Sequence, residues 1–159
     1  MATSKDIENV KQKLRHLRDL NEKLDQDGIM YDSIISIQSP HFDDVGGSKQ
    51  KNPARLSKIE RTVHKRMKLQ KEIDETVDEI GKLEPEVEEM ISTIEIPKLE
   101  TIMTMRYVYC LKWKDIIYKT NDKVSADKIE KNYEIYHHNM MTQHGKALQI
   151  IADKANNIK

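Results

Sequence analysis

Apolar residues recur at helical spacing along most of this chain. Ile7, Val10, Leu14, Leu17 and Leu24 follow at intervals of three, four, three and seven. That is an a/d seam, with Lys5, Lys11, Lys13, Arg15, Arg18 and Lys23 mostly outside it. Thr3 or Ser4 is placed to cap this first helix, and Glu8 completes a capping arrangement if the boundary shifts slightly. Gly28 interrupts the seam, so Ile29, Met30, Ile34 and Ile35 either continue the helix beyond a kink or form a separate turn. A second stripe runs through Ile59, Val63, Met67, Ile73, Val77, Ile80, Leu83, Val87, Met90, Ile91 and Ile94. Pro53 stands near its first turn, where a missing N–H costs nothing. Pro85 lies inside the stripe and predicts a kink or break near Gly81–Pro85. Uninterrupted, such a helix spans about 60 Å at ~1.5 Å per residue. A seam that long needs a partner. The first helix covers part of it as an antiparallel hairpin, and a second copy of the chain is expected over the rest.

Between these stripes, residues 39–53 read SPHFDDVGGSKQKNP, the clearest loop in the chain. It is longer than a helical hairpin needs, hence functional or flexible, with Phe42 and Val45 available to pin it. From Pro97 onward three shorter stripes follow. Leu99, Ile102, Met103 and Tyr107 predict a helix from about Lys98 to Tyr109. Trp113, Ile116 and Ile117 predict one from Lys112 to about Lys119. Tyr136, Met140, Met141, His144, Ala147, Leu148 and Ile151 predict a last helix to about Ala155, ahead of a frayed tail. Three short helices ending in an amphipathic one are the makings of a helix-turn-helix. Thr120 to Asn132 inserts about a dozen residues where that motif has a turn of about 3–4. Ser125 carries an N-cap signature there, so the insert either forms a short helix of its own or lengthens the last one. The expected fold is all-α: a coiled-coil-like helical hairpin over residues 1–94, then a helix-turn-helix domain over residues 95–159 with its insert at 120–132.

The strings Met105-Arg106-Tyr107-Val108, Trp113-Lys114-Asp115-Ile116-Ile117 and His144-Gly145-Lys146-Ala147-Leu148 carry a resemblance. They resemble the C-terminal half of the late-transcription regulators of Gram-positive phages and prophages, the ArpU/RinA/LtrC-type proteins and their uncharacterised relatives. That half is similar to region four of sigma factors, and the family's N-terminal half is helical. The resemblance implies a DNA-binding regulator that activates late or packaging genes of a phage or prophage. Its partners would be double-stranded promoter DNA and, through the hairpin, RNA polymerase.

Composition adjusts this picture. Of 159 residues 37% are hydrophobic and 34% charged, with one Phe and one Trp, which suits long helices burying a narrow stripe. Lys and Arg number 27 against 27 Asp and Glu, so no global basic field draws in nucleic acid. Charge is segregated locally. Residues 106–159 hold ten Lys/Arg against six Asp/Glu, whereas residues 72–89 are acidic and read as the wet face of a helix. Cys110 is the only cysteine, so no intramolecular disulfide forms and a reducing cytosol fits. The N-terminus has no apolar h-region and no apolar run approaches twenty residues. Bacterial cytoplasm is the expected location, without a membrane partner.

For DNA contact the residue types point to the N-terminal half of the last helix. Asn139, Thr142, Gln143 and Lys146 can reach base edges or phosphates, since Asn and Gln match adenine and Lys matches guanine or phosphate. His144 belongs at the DNA-facing or packing edge of that helix. Lys112, Lys114, Lys128 and Lys131 are expected on the DNA backbone. Arg106 either touches a phosphate or pairs with Asp115 or a nearby glutamate. Trp113 could stack on a base, but a lone Trp at this spacing belongs in a core. His137, His138 and His144 share one helix, yet zinc needs three or four convergent ligands and no partner motif supplies them. No nucleophile–base set and no phosphate loop is visible, so neither enzyme activity, cofactor nor small-molecule substrate is expected. A rival reading has the chain act by protein–protein contact with a repressor, another regulator or RNA polymerase, without reading DNA. Neutral charge, the insert and a weakly basic last helix favour it.

Overall fold

A computed structural model describes residues 1–36 and 53–157. The loop expected at 39–53, with Phe42 and Val45, lies outside the described residues except for Pro53. Among the described residues the chain forms six helices and no strand: α1 (Ser4–Ser36), α2 (Pro53–Ser92), α3 (Pro97–Tyr107), α4 (Trp113–Thr120), α5 (Ala126–Lys131) and α6 (Tyr133–Asn157). None of them is long and apolar enough to cross a membrane. α1 continues through Gly28 without a separate turn, and α2 is helical through Pro85.

The chain divides into two compact units, Glu22–Glu79 and Met1–Asn21 with Ile80–Lys159. The division therefore falls inside the two long helices rather than at residues 94–95. In the Glu22–Glu79 unit, Arg66 ties α2 to α1, donating from Nη2 to the Tyr31 hydroxyl at 3.2 Å with its guanidinium 5.2 Å over that ring. Leu69 and Thr76 are buried here, whereas Val63, Met67 and Val77 are 44%, 65% and 47% exposed. The apolar stripe on α2 is thus split over two faces. Thr76 is accommodated because its hydroxyl donates to the Glu72 carbonyl of its own helix at 2.8 Å.

The other unit joins both chain ends. Thr3 is the N-cap of α1, and its reciprocal partner is Asp6 rather than Glu8. The Asp6 N–H donates to Thr3 Oγ1 at 3.3 Å and the Thr3 N–H to Asp6 Oδ2 at 2.8 Å. A capping box requires the acid at the third helical position, which Asp6 occupies. Asn156 of α6 donates to Asp6 at 3.0 Å, and the Ala2 N–H to Asp153. Val10, Leu14, Leu17 and Leu20 of α1 are buried, as are Val87, Ile91 and Ile94 at the end of α2. Asn9, Val10 and Lys13 line one groove with Glu86, Glu89, Met90 and Thr93, so these parts of α1 and α2 lie side by side.

α3 to α6 enclose a second apolar cluster. Ile102, Ile116, Ile117, Ile129 and Met140 form its centre, flanked by Leu111, Trp113, Val124, Tyr133 and Tyr136. The insert supplies part of that core. Asn121 to Ser125 make a turn in which the Val124 N–H donates to the Asn121 carbonyl at 2.9 Å. Ser125 then stands at the N-cap of α5, whose Ile129 is 1% exposed. So the insert is an ordered turn and a short helix of its own, held by one buried isoleucine. Between α3 and α4 the chain reverses through Cys110 at φ 56°, a left-handed conformation that usually falls to glycine.

Candidate nucleic-acid interface

α6 is the element on which the expected DNA contacts converge. It is anchored by Met140, Ala147, Leu148, Ile151 and Ala152, all buried along one stripe. The opposite side holds Ile135, His138, Asn139, Thr142 and Lys146, all exposed. Three of the predicted contact residues, Asn139, Thr142 and Lys146, therefore share one solvent face. Thr142 has its hydroxyl donated to the His138 carbonyl at 3.0 Å, which leaves only its lone pairs for an outside donor.

Gln143 and His144 turn away from that face. Gln143 is half-buried in a small polar recess beside the end of α4, lined also by Lys98, Thr120, Asn121 and Asn139. Its Oε1 is buried without a hydrogen-bond partner. His144 is half-buried on the packing side, where Nε2 lies 2.7 Å from the Tyr107 hydroxyl of α3. The Trp113 and His144 rings meet in a T-shaped arrangement, at a 5.1 Å centroid distance and 73°. Burial, reinforced by the nearby charges of Lys11, Arg106 and Arg15, pushes the His144 imidazole down to about 4. Burial also raises the Tyr107 hydroxyl above its usual value, so it stays protonated.

Arg106 is fixed rather than extended. Its Nη1 donates to the Leu111 carbonyl at 2.9 Å, and its guanidinium stacks 4.6 Å from the Trp113 ring. One guanidinium thus holds the α3–α4 reversal closed and shields one face of the tryptophan. Trp113 is half-buried against the α3–α6 core, with Arg106 over one face of its ring.

The four lysines assigned to the DNA backbone are all exposed: Lys112 and Lys114 at the start of α4, Lys128 and Lys131 on α5. Lys128 and Lys131 are three residues apart on one helix and so lie near each other. Among the described residues no three His, Cys, Asp or Glu side chains converge as metal ligands.

A cluster on α1 was not singled out from the sequence. Lys11, Arg15 and Arg18 come to α6 and α3 at the same node, lining one cleft with Arg106, Tyr107, Trp113, Met141 and His144. Their spacing of four and three along one flank of α1 was the available signal. Without knowledge of what α1 packs against, the sequence places these residues only outside the apolar seam. Comparison of the chain with protein-family models, with curated proteins and with solved structures returns no match.

Proposed function

We propose that this chain is a DNA-binding transcriptional regulator of a phage or prophage that activates late or packaging genes. In this reading α4, the turn and α5 carry the backbone-contacting lysines, and the exposed face of α6 meets the DNA. The observation that carries the proposal is the shared exposure of Lys128, Lys131, Asn139, Thr142 and Lys146 around a buried apolar core. Gln143 and His144 belong to packing in this version, which narrows the contact set. A second copy joined through the hairpin would present two such faces to successive major grooves. Val63, Met67 and Val77, apolar yet exposed on α2, support that arrangement.

Phosphate neutralisation sets both affinity and its salt dependence, at about 0.9 log–log slope units per phosphate contacted. A Lys128→Ala/Lys131→Ala/Lys146→Ala variant should therefore lose about 2–3 units of salt slope, with affinity falling at least tenfold across sequences. All three side chains are exposed, so helix content should not change. An unchanged slope in a folded variant would remove these lysines from the interface.

The same exposed apolar residues favour a second reading, in which the hairpin engages a different protein and the α3–α6 part does not read DNA. Salt separates the two, because an apolar contact weakens little between about 50 and 200 mM salt, whereas phosphate contacts weaken steeply.

A further inference from the structure

The first turn of α6 presents an acid and an apolar side chain to solvent, Glu134 and Ile135. Neither suits a phosphate, since the carboxylate repels it and the isoleucine offers it no donor. Ile135 is 60% exposed, and among the described residues it is the one large apolar side chain that α6 leaves open to solvent. Its N–H donates to the Asn132 carbonyl at 3.0 Å, which fixes it in the helix. Single exposed isoleucines are common on protein surfaces, and register is what sets this one apart. Ile135, Asn139, Thr142 and Lys146 follow at spacings of four, three and four, a stripe about 60° wide at ~3.6 residues per turn. Met140, Ala147, Leu148 and Ile151 are buried on the opposite side. The exposed stripe is thus apolar at its start, polar in the middle and cationic at its far end. Lys146 stands about 16 Å beyond Ile135 at ~1.5 Å per residue.

We propose that Ile135 selects thymine in double-stranded DNA, packing on its C5-methyl group within about two base pairs of an adenine read by Asn139. This preference rests on the DNA-binding reading above and adds a base to it. Among the four ordinary bases only thymine offers a methyl group in the major groove. Apolar side chains meet that methyl, while Asn pairs with the N6 and N7 edge of adenine. Ile135 and Asn139 stand about one helical turn apart, roughly 6 Å along the axis, against a base-pair rise of about 3.4 Å. Recognition helices meet base edges with their N-terminal residues, and Ile135 lies in the first turn of α6. Removing the methyl group and the isoleucine from water supplies the preference, and uracil, which lacks the methyl, forfeits it.

The full chain selects sites from a pool of DNA duplexes with a randomised centre, in the presence of unrelated competitor. The recovered duplex is then made again with uracil in place of each thymine in turn, and binding is read by fluorescence anisotropy. At one thymine the exchange should weaken binding of the natural chain about fourfold, the worth of one buried methyl group. That thymine should lie within about two base pairs of an adenine whose preference over guanine is lost in Asn139→Ala. Ile135→Ala should bind the thymine and uracil forms alike, so the effects of the two changes do not add. Ile135 is mostly exposed, so the melting transition of the variant should match that of the natural chain. A selected duplex in which no thymine shows the effect, or an effect that persists in folded Ile135→Ala, overturns the thymine contact and leaves DNA binding in place. A pool from which nothing is enriched overturns the DNA-binding reading, and the thymine contact falls with it.

Discussion

A chain lacking residues 1–21 is expected to lose the cooperative melting of its C-terminal unit. Those residues belong to the same compact unit as Ile80–Lys159, although they are distant in sequence. They bury Val10, Leu14, Leu17 and Leu20, with Leu14 and Leu17 fully excluded from solvent. At roughly 1.5–3 kcal/mol for each fully buried aliphatic side chain, the gross loss is about 6–12 kcal/mol. A whole domain of this kind is stable by only about 5–15 kcal/mol. The deletion also removes the capping box at Thr3 and Asp6 and the contacts of Asp6 with Asn156 and of Ala2 with Asp153. Thermal melting followed by circular dichroism and by Trp113 emission checks this. A broad, non-cooperative transition with red-shifted emission is expected. A sharp transition within a few degrees of the full chain would show that the α3–α6 part stands without α1.

Stability should also fall steeply with acid below about pH 6.5, and His144 should account for a defined part of the fall. Burial, together with Lys11, Arg106 and Arg15, holds this imidazole near 4 in the folded chain, against 6.5 for an unperturbed ring. Above pH 6.5 the ring is neutral in both states and its contribution is fully present. As pH drops from 6.5 towards 4, the unfolded chain takes up a proton that the folded chain refuses, so folding is progressively disfavoured. Below about 4 both states are protonated and this loss stops growing. The full shift corresponds to about 2–3 kcal/mol after allowance for the ring's partial exposure. Urea unfolding at pH 7 and pH 4.5, in buffers without phosphate, is compared between the natural chain and His144→Gln. The carboxylates titrate alike in both, so their effect cancels in the difference. The natural chain should lose about 2 kcal/mol more than the variant. Equal losses would mean that the ring is solvated rather than packed on Tyr107 and Trp113.

The short C-terminal helices were legible from the sequence because their apolar spacing and their burial are set by the same few residues. Leu99, Ile102, Met103 and Tyr107 are all buried, as are Ile116 and Ile117, and each helix starts and stops within two residues of its expected bounds. The long helices were less legible. A strict 3.5-residue seam extrapolated from Leu17 leads to Leu24, yet Leu20 is buried and Leu24 is only half-buried. An α-helix of 3.6 residues per turn drifts about 20° per heptad from such a seam. On α2 the same drift lets two stripes overlap, and periodicity alone does not say which faces a partner. Leu69 and Thr76 go inward while Val63, Met67 and Val77 stay out.

For the candidate site, the exposed lysines and Asn139 followed from residue type and register. The inward turn of Gln143 and His144 did not, because it depends on where α3 and α4 end. Nor did the cationic cleft, since Lys11, Arg15 and Arg18 meet Arg106 only through a fold that brings residue 11 next to residue 144. That is tertiary information, invisible to any local window.

DNA binding by the exposed face of α5 and α6 is tested most directly by fluorescence anisotropy of the full chain. The probes are fragments of phage DNA spanning late and packaging promoters, at two salt concentrations and with excess unrelated competitor. The DNA-binding reading predicts that one fragment binds, resists the competitor, and weakens steeply as salt rises. Binding that no fragment wins over competitor, from protein with a cooperative melting transition, would contradict it and leave the protein-partner reading in its place.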